Sequence, residues 1–411
     1  MNILFISTEG CFDSVKTGGA VRNHMFLKAL SQIGNVDVIS FYEEPLVSNL
    51  PNCDVIFSKN IKYENSKRSY LSFIRKLLLP LILPNYPYSY YRINKEKESI
   101  IDCYIRKREY DIIACRYIVN AITCGLLKYM RKLVIDVDDN PAKMFIIYAT
   151  QKFKYPIINW RFKLDANKIG GMAERLLAHV RCSFYSNKME SPSPNSVYLH
   201  NVALVKAVIP DIDGLTPNRI LFVGNNTYLP NIEGIRHFVD YIFPLVKKKI
   251  PDVELRVIGK GEKKFLDTLN SIEGVVATGF VDDLAAEYIN ARVVVIPIYH
   301  GAGTCIKFIE ALSMNRPIVS TPFGARGFDE FCVAGEHYMR AENDKDFAEK
   351  TITLLSSLDT SKEMASKAKE IPDKYFSQVA FERIVKDTIL GNPVVRPPKT
   401  PDIFQTDRIV I

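Results

Sequence analysis

No apolar stretch in the first half of the chain is long enough to cross a bilayer. The longest there, Leu77 to Pro84, is broken at Pro80 and closed by Pro84, far short of the about 18 residues a membrane helix needs. Cys-x-x-Cys pairs are absent. The eight cysteines are scattered without metal-ligand spacing, which points to free thiols in a reducing cytoplasm and to no metal. Met1 runs directly into an apolar strand pattern, without a basic leader or cleavage site, so no secretory signal is expected. Glycine and proline number only 20 and 22, so no long low-complexity segment is implied. A clean Gly-x-Gly-x-x-Gly after a strand is missing from both halves, which argues against a dehydrogenase. No aromatic-basic recognition motif is found either, which argues against nucleic acid as a partner.

What is present suits a soluble protein of two domains. The chain has 411 residues, enough for two cores of roughly 200 residues each. It is 47% hydrophobic and 24% charged. The net charge of +8 is unevenly spread: residues 1–200 hold 28 Lys+Arg against 18 Asp+Glu, and residues 201–411 hold 26 against 28. A basic first half can attract anionic lipid or phosphorylated substrates, or can simply be a solvated surface.

Apolar runs of strand length alternate with helical spacing. ILFIS, a loop, a helix from Val21 to Gly34 and VDVISF form a βαβ unit, the building block of parallel sheets. Further strands are read at 54–58, 111–116, 132–139 and 183–187. The polar segment 211–218 reads as a linker, after which the alternation restarts at 219–225. The expected architecture is therefore α/β, with two Rossmann-like domains facing across a cleft. Residues 1–210 form the first domain and 219–372 the second, a helix at 373–390 crosses back to the first, and 391–411 is a tail.

The most informative segment is Pro297 to Gly327. A strand feeds the turn Gly301-Ala302-Gly303-Thr304, and a helix follows through about Met314. A helix start offers free N–H groups and about half a positive charge to a phosphate. Gly301 and Gly303 allow close backbone approach. Lys307 can neutralise a phosphate, and Glu310, on the same helix face, can accept hydrogen bonds from ribose hydroxyls. An ordinary exposed i,i+3 pair would have the same spacing. A second glycine turn, Phe323 to Gly327 with Arg326, follows the next strand.

The segment GAGTCIKFIEALSMNRPIVSTPFGARG resembles the donor site of family-4 glycosyltransferases, in particular the bacterial polysaccharide-assembly branch with its G-x-G-T-x-x-K-x-x-E-A pattern. FVGNNTYLPNIEG (222–234) is similar to the first strand of that donor domain and its loop, and VIGKG (257–261) and TGFVDDL (278–284) to its later turns. The resemblance implies GT-B architecture, a nucleotide-sugar as substrate, and no metal or other cofactor. It implies that Glu310 holds the ribose, that Gly303 and Thr304 cradle the diphosphate, that Gly224, Asn225 and Gly259 lie at the donor turns, and that Gly279 and Val281 line the base pocket. Two departures stand out. Ala302 occupies the position where many members carry Glu. Gly224-Asn225-Asn226 offers no cation where many carry an Arg/Lys pair, so the diphosphate charge falls to Lys307, the helix terminus and Arg326, with amide donors such as Asn225.

In the first half, Gly18 and Gly19 follow the first strand in a loop that the resemblance places under the donor diphosphate. Arg22 and His24 lie in the helix that follows. Asp138 and Asp139 end a strand where many members show His-Asp. Either carboxylate could bind sugar hydroxyls or take the acceptor proton, or form a helix cap or turn, since Asp-Asn-Pro is turn chemistry. Residues 66–92 mix basic, aliphatic and tyrosine side chains, suited to an anionic membrane surface bearing a lipid-linked acceptor, or to a core helix and loop. The expected activity is retaining glycosyl transfer to a glycan or lipid-linked acceptor, with Asp138, Asp139, Lys307 and Glu310 at the reacting centre. A nucleotide-sugar epimerase, an inverting transferase and a non-catalytic scaffold of the same fold are the alternatives.

Overall fold

The computed structural model describes residues 1–8, 18–42, 50–61, 93–152, 156–187, 196–203, 212 and 218–391. The loop residues Lys16 and Thr17, the basic-aromatic segment 66–92, nearly all of the linker 211–218 and the tail after Gly391 lie outside them.

Two parallel sheets carry the chain. The first contains β1 (Asn2–Ser7), β2 (Asn35–Ser40), β3 (Cys53–Ser58), β4 (Ile112–Arg116), β5 (Leu133–Asp138), β6 (Cys182–Tyr185) and β7 (Ser196–Tyr198), in the order β3-β2-β1-β4-β5-β6-β7. The second contains β8 (Arg219–Val223), β9 (Glu254–Ile258), β10 (Val275–Thr278), β11 (Val293–Ile296), β12 (Ile318–Ser320) and β13 (Met339–Arg340), in the order β10-β9-β8-β11-β12-β13. All ladder pairs are parallel. Strands covered on both faces need no polar face, and β1, β4 and β11 are apolar along nearly their whole length. This is the α/β architecture of two Rossmann-like units.

The strand order reverses between β1 and β4 and again between β8 and β11. Adjacent loops there leave in opposite directions, which opens a crevice at the carboxyl ends of the strands. Both candidate sites fall at these points. Between the two sheets, side chains of 187 and 201 hydrogen-bond to 303 and 304, so the crevices face one another.

The helix Gln378–Leu390 belongs to the first domain's packing. Phe381, Val385 and Ile389 share a core with Phe26, Leu27 and Leu30 of the helix Gly18–Ser31. Aromatic contacts continue from there into the second domain: Phe376 meets Phe328 at 5.7 Å, and Phe328 stacks on Phe308 at 4.3 Å. Phe308 sits in the helix Ile306–Ser313, so the helix that carries Lys307 and Glu310 is packed against these rings.

Candidate active site

In the second domain, the turn after β11 leads into the helix expected from the sequence. Gly301 and Gly303 have φ of +147° and +64°, a region that glycine adopts without penalty. Cys305 is still extended and makes no side-chain cap, so the helix begins at Ile306. No side chain caps the start of this helix; Phe308 N donates to Cys305 O at 2.9 Å.

Lys307 and Glu310 are 8% and 4% exposed, so they are not a solvated surface pair. Lys307 reaches across the β8/β11 crevice: Nζ donates to Asn231 Oδ1 at 2.8 Å and lies 4.2 Å from the centre of the Phe222 ring. Burial pulls its pKa down to about 8 against the weaker pull of Glu310. Glu310 Oε2 accepts from the Tyr288 hydroxyl at 2.8 Å. Burial pushes its pKa up, and the Tyr288 hydrogen bond and Lys307 act against that. A buried ammonium and a buried carboxylate are costly unless each gains partners. Here each has one neutral partner and remaining capacity for a ligand.

The floor beside them is built of backbone. Gly224, Gly259 and Gly279 follow three adjacent strands, β8, β9 and β10. Gly224 N donates to Ile258 O, and Gly259 N donates to Gly279 O. A Cβ on Gly259 would collide with the Gly224 carbonyl, and one on Gly224 would meet Asn231 and the Lys307 ammonium at about 3 Å. A Cβ on Gly279 would meet nothing within 4 Å. Asn225 is exposed; its Oδ1 accepts from Thr227 N and Oγ1, which leaves the amide nitrogen as its free end. Val281 is half-buried against the domain core. Arg326 donates to Gly303 O at 2.6 Å and stacks 3.7 Å over Phe323, so it braces the turn.

The first domain presents a buried ionic cluster to this turn. Asp136 is fully buried and takes a bidentate pair from Arg22, both bonds 2.8 Å, and a third bond from Arg116 at 2.9 Å. Burial alone would raise the Asp136 pKa; the two guanidiniums reverse that and hold it below the usual carboxylate range. Arg116 also donates to Gly19 O and, at 2.6 Å, to Asp138 Oδ2. Gly18 and Gly19 form the first turn of their helix, tied down through that carbonyl.

Asp138 sits at a register shift between β5 and β6, with φ of +62°. It lies within 3.4 Å of Arg22 as well as bonding Arg116. Both oxygens of Asp138 therefore face guanidiniums, Oδ1 toward Arg22 and Oδ2 toward Arg116. Asp139, one residue on, is half-buried and faces the second domain. Its Oδ1 is 3.4 Å from Ser186 Oγ and abuts Gly303. Asn187 donates to Gly303 O at 3.3 Å, and Asn201 Nδ2 to Thr304 Oγ1 at 3.1 Å. His24 is half-buried on the helix behind Gly18.

The sequence reading singled out neither Arg116, Asp136, Ser186, Asn187, Asn201 nor Tyr288 as a site residue. A signal existed for two of them: Arg116 and Asp136 interrupt otherwise apolar strands, and a buried charge needs a partner. Among the described residues no group of three or more His, Cys, Asp or Glu could hold a metal ion, and no helix is long and apolar enough to cross a membrane.

Residues 217–357 match the family model described as glycosyl transferases group 1. A Klebsiella pneumoniae protein named for its 44.6 kDa mass and its place in a cps region is 23% identical over 406 residues, covering 94% of this chain and 99% of that one. Among solved structures, sucrose-phosphate synthase of Thermosynechococcus elongatus is 13% identical with a TM-score of 0.65, covering 95% of this chain and 98% of that one. HepE of Anabaena, in complex with UDP and glucose, is 13% identical with a TM-score of 0.60, covering 94% and 99%. WaaG, a glycosyltransferase involved in lipopolysaccharide biosynthesis, is 12% identical with a TM-score of 0.59, covering 95% and 100%.

Proposed function

Starting from a GT-B glycosyltransferase whose residues 217–357 are a group 1 domain, we propose that it moves the sugar of a nucleotide-diphosphate-sugar, with retention, to a glycan or lipid-linked acceptor in cell-surface polysaccharide synthesis. The observation that carries the donor class is the convergence of Thr304, Lys307 and Glu310 at the β8/β11 crevice, with both charged groups buried and partly unsatisfied.

Lys307 has three N–H groups and gives one to Asn231; the others suit diphosphate oxygens. The uncapped helix start adds amide donors on the same side. Glu310 keeps one oxygen clear of Tyr288, suited to ribose hydroxyls, and Gly279 leaves open space for the base. As the bond from the anomeric carbon to the diphosphate oxygen breaks, negative charge grows on the leaving group, where Lys307 and the helix terminus hold it. The acceptor hydroxyl adds to the same face of the anomeric carbon, and its proton passes to the departing diphosphate. Asp139, facing Gly303, is placed to hold a hydroxyl of the sugar. The ion pairing of Asp138 favours retention, because it occupies a carboxylate that an inverting reaction could use as base.

The charge arrangement suits transfer without a metal, and chelation with EDTA is expected to leave the rate unchanged. Polysaccharide synthesis is supported by the naming of the Klebsiella relative and of WaaG. The basic excess of residues 1–200 supports contact with the anionic inner face of a membrane where a lipid-linked acceptor lies. Calorimetry against UDP-, GDP- and ADP-sugars tests the donor class, and NMR of the product's anomeric proton tests retention. Binding to none of the three would remove the donor reading, and an inverted anomer would remove retention.

A further inference from the structure

A directed chain of hydrogen bonds runs from the first domain's ionic cluster to the donor turn of the second. Arg22, 4% exposed, is clamped by Asp136 through Nε and one terminal nitrogen. Its other terminal nitrogen donates to Leu199 O at 3.1 Å, His200 O at 3.3 Å and Asn201 Oδ1 at 2.8 Å. A guanidinium is donor-only, so the amide of Asn201 must turn its oxygen to Arg22. Its nitrogen then faces the opposite way and donates to Thr304 Oγ1 at 3.1 Å.

We propose that Asn201, oriented by Arg22, is a positioning residue that turns the Thr304 hydroxyl into a donor for a diphosphate oxygen of the nucleotide-sugar. The inference rests on the donor-site reading given above. A hydroxyl whose oxygen already accepts from an amide directs its own proton elsewhere. Among the described residues no acceptor takes that proton, and Thr304 stands at the turn that opens the helix Ile306–Ser313. With the amide reversed, or absent, Thr304 could satisfy itself by donating to the neighbouring domain instead of to a ligand. Because Asn201 and Thr304 belong to different domains, the bond forms only when the domains meet, so closure and the setting of the hydroxyl are one event. Arg22 reaches neither donor nor acceptor; it acts through the orientation of the amide.

The test is a double-mutant cycle on the full-length enzyme with a nucleotide-sugar that wild type turns over. Asn201→Leu keeps the volume and leaves Arg22 its Leu199 and His200 carbonyls, so the guanidinium is not orphaned. Thr304→Val keeps the shape and removes the hydroxyl. Each is expected to lower kcat/KM for the donor about tenfold, and the double variant to fall no more than about twofold below the weaker single variant. Thr304→Ser is expected to keep at least about half of wild-type kcat/KM, because the hydroxyl remains. If Asn201→Leu does not fold, Asn201→Ala takes its place in the cycle. Multiplying effects, of about a hundredfold in the double variant, would assign Asn201 to packing alone and overturn the relay, as would a fully active Thr304→Val. Those results in an active wild type sink only the relay. A wild type that binds none of UDP-, GDP- or ADP-sugars sinks the donor reading and the relay with it.

Discussion

Asp139 of the first domain and Gly303 of the second are packed so closely that a side chain on Gly303 would enter the van der Waals shell of Asp139 Oδ1. Gly303 also has φ of +64°. The two domains therefore meet at a position where only glycine fits on two separate counts, conformation and space. Gly303→Ala is expected to prop the turn away from Asp139 and weaken nucleotide-sugar binding about tenfold. Adding Asp139→Ala removes the collision but not the backbone strain, and should recover binding of the nucleoside diphosphate, which lacks the sugar assigned to Asp139, to within about threefold of wild type. Calorimetric titration of the three proteins decides it. An unaltered affinity in Gly303→Ala would mean that the turn carries no ligand.

The buried ammonium makes donor binding sensitive to alkaline pH. Burial lowers the Lys307 pKa to about 8 from an ordinary 10.5. As pH rises through about 8 the empty site loses the charge that attracts a diphosphate, so affinity falls. A bound dianion favours the ammonium, so binding above pH 8 takes up protons. Titrations at pH 9 in buffers of different ionisation enthalpy should show that uptake, and Lys307→Met should abolish it. Stability follows the opposite sign: between about 8 and 10.5 the unfolded chain holds more protons than the folded one, so this group's contribution to stability grows as pH rises across that window.

The two halves of the donor corner differ in how far residue spacing alone revealed them. Glycine punctuation after apolar strand runs located the turns after β8, β9, β10 and β11, because both signals are local. The helix starts at Ile306, directly after the turn as the pattern suggested, with Gly303 at positive φ and Cys305 extended between them. The fate of Asp138 was not legible. Its partners Arg116 and Arg22 come from other strands and helices, and Arg22 lies 114 residues from Asp136, the carboxylate it clamps. No local periodicity encodes a contact of that span; only the hint of charges inside apolar strands survives in one dimension.

Tyr288 supports Glu310 from behind, and its removal should appear in the acid limb of the binding profile. The Glu310 pKa is pushed up by burial and held back by the Tyr288 hydroxyl. Tyr288→Phe therefore moves that pKa further up, so the carboxylate proposed to accept ribose hydroxyls protonates at a higher pH. Nucleotide affinity measured from pH 5 to 7 should decline earlier on acidification than in wild type, with the alkaline limb unmoved. Coincident acid limbs would show that the phenol and the carboxylate are not coupled.

Asp136 is the anchor of the first domain's ionic cluster, fully buried between two guanidiniums. Asp136→Ala leaves the two buried guanidiniums sharing Asp138 as their remaining carboxylate, and breaking a buried pair from one side typically costs about 3–5 kcal/mol. Guanidinium unfolding followed by circular dichroism should show a first transition shifted to lower denaturant by that amount. A loss below about 1 kcal/mol would show that the cluster does not anchor the first domain.

The central claim is that Lys307 and Glu310 grip the diphosphate and ribose of a donor nucleotide. Its most direct test is the dissociation constant of the nucleoside diphosphate for wild type, Lys307→Ala and Glu310→Ala, with each variant's fold checked by circular dichroism. Each folded variant is expected to bind at least about tenfold more weakly, equivalent to roughly 1.4 kcal/mol. Two folded variants with wild-type affinity would contradict the assignment of this corner.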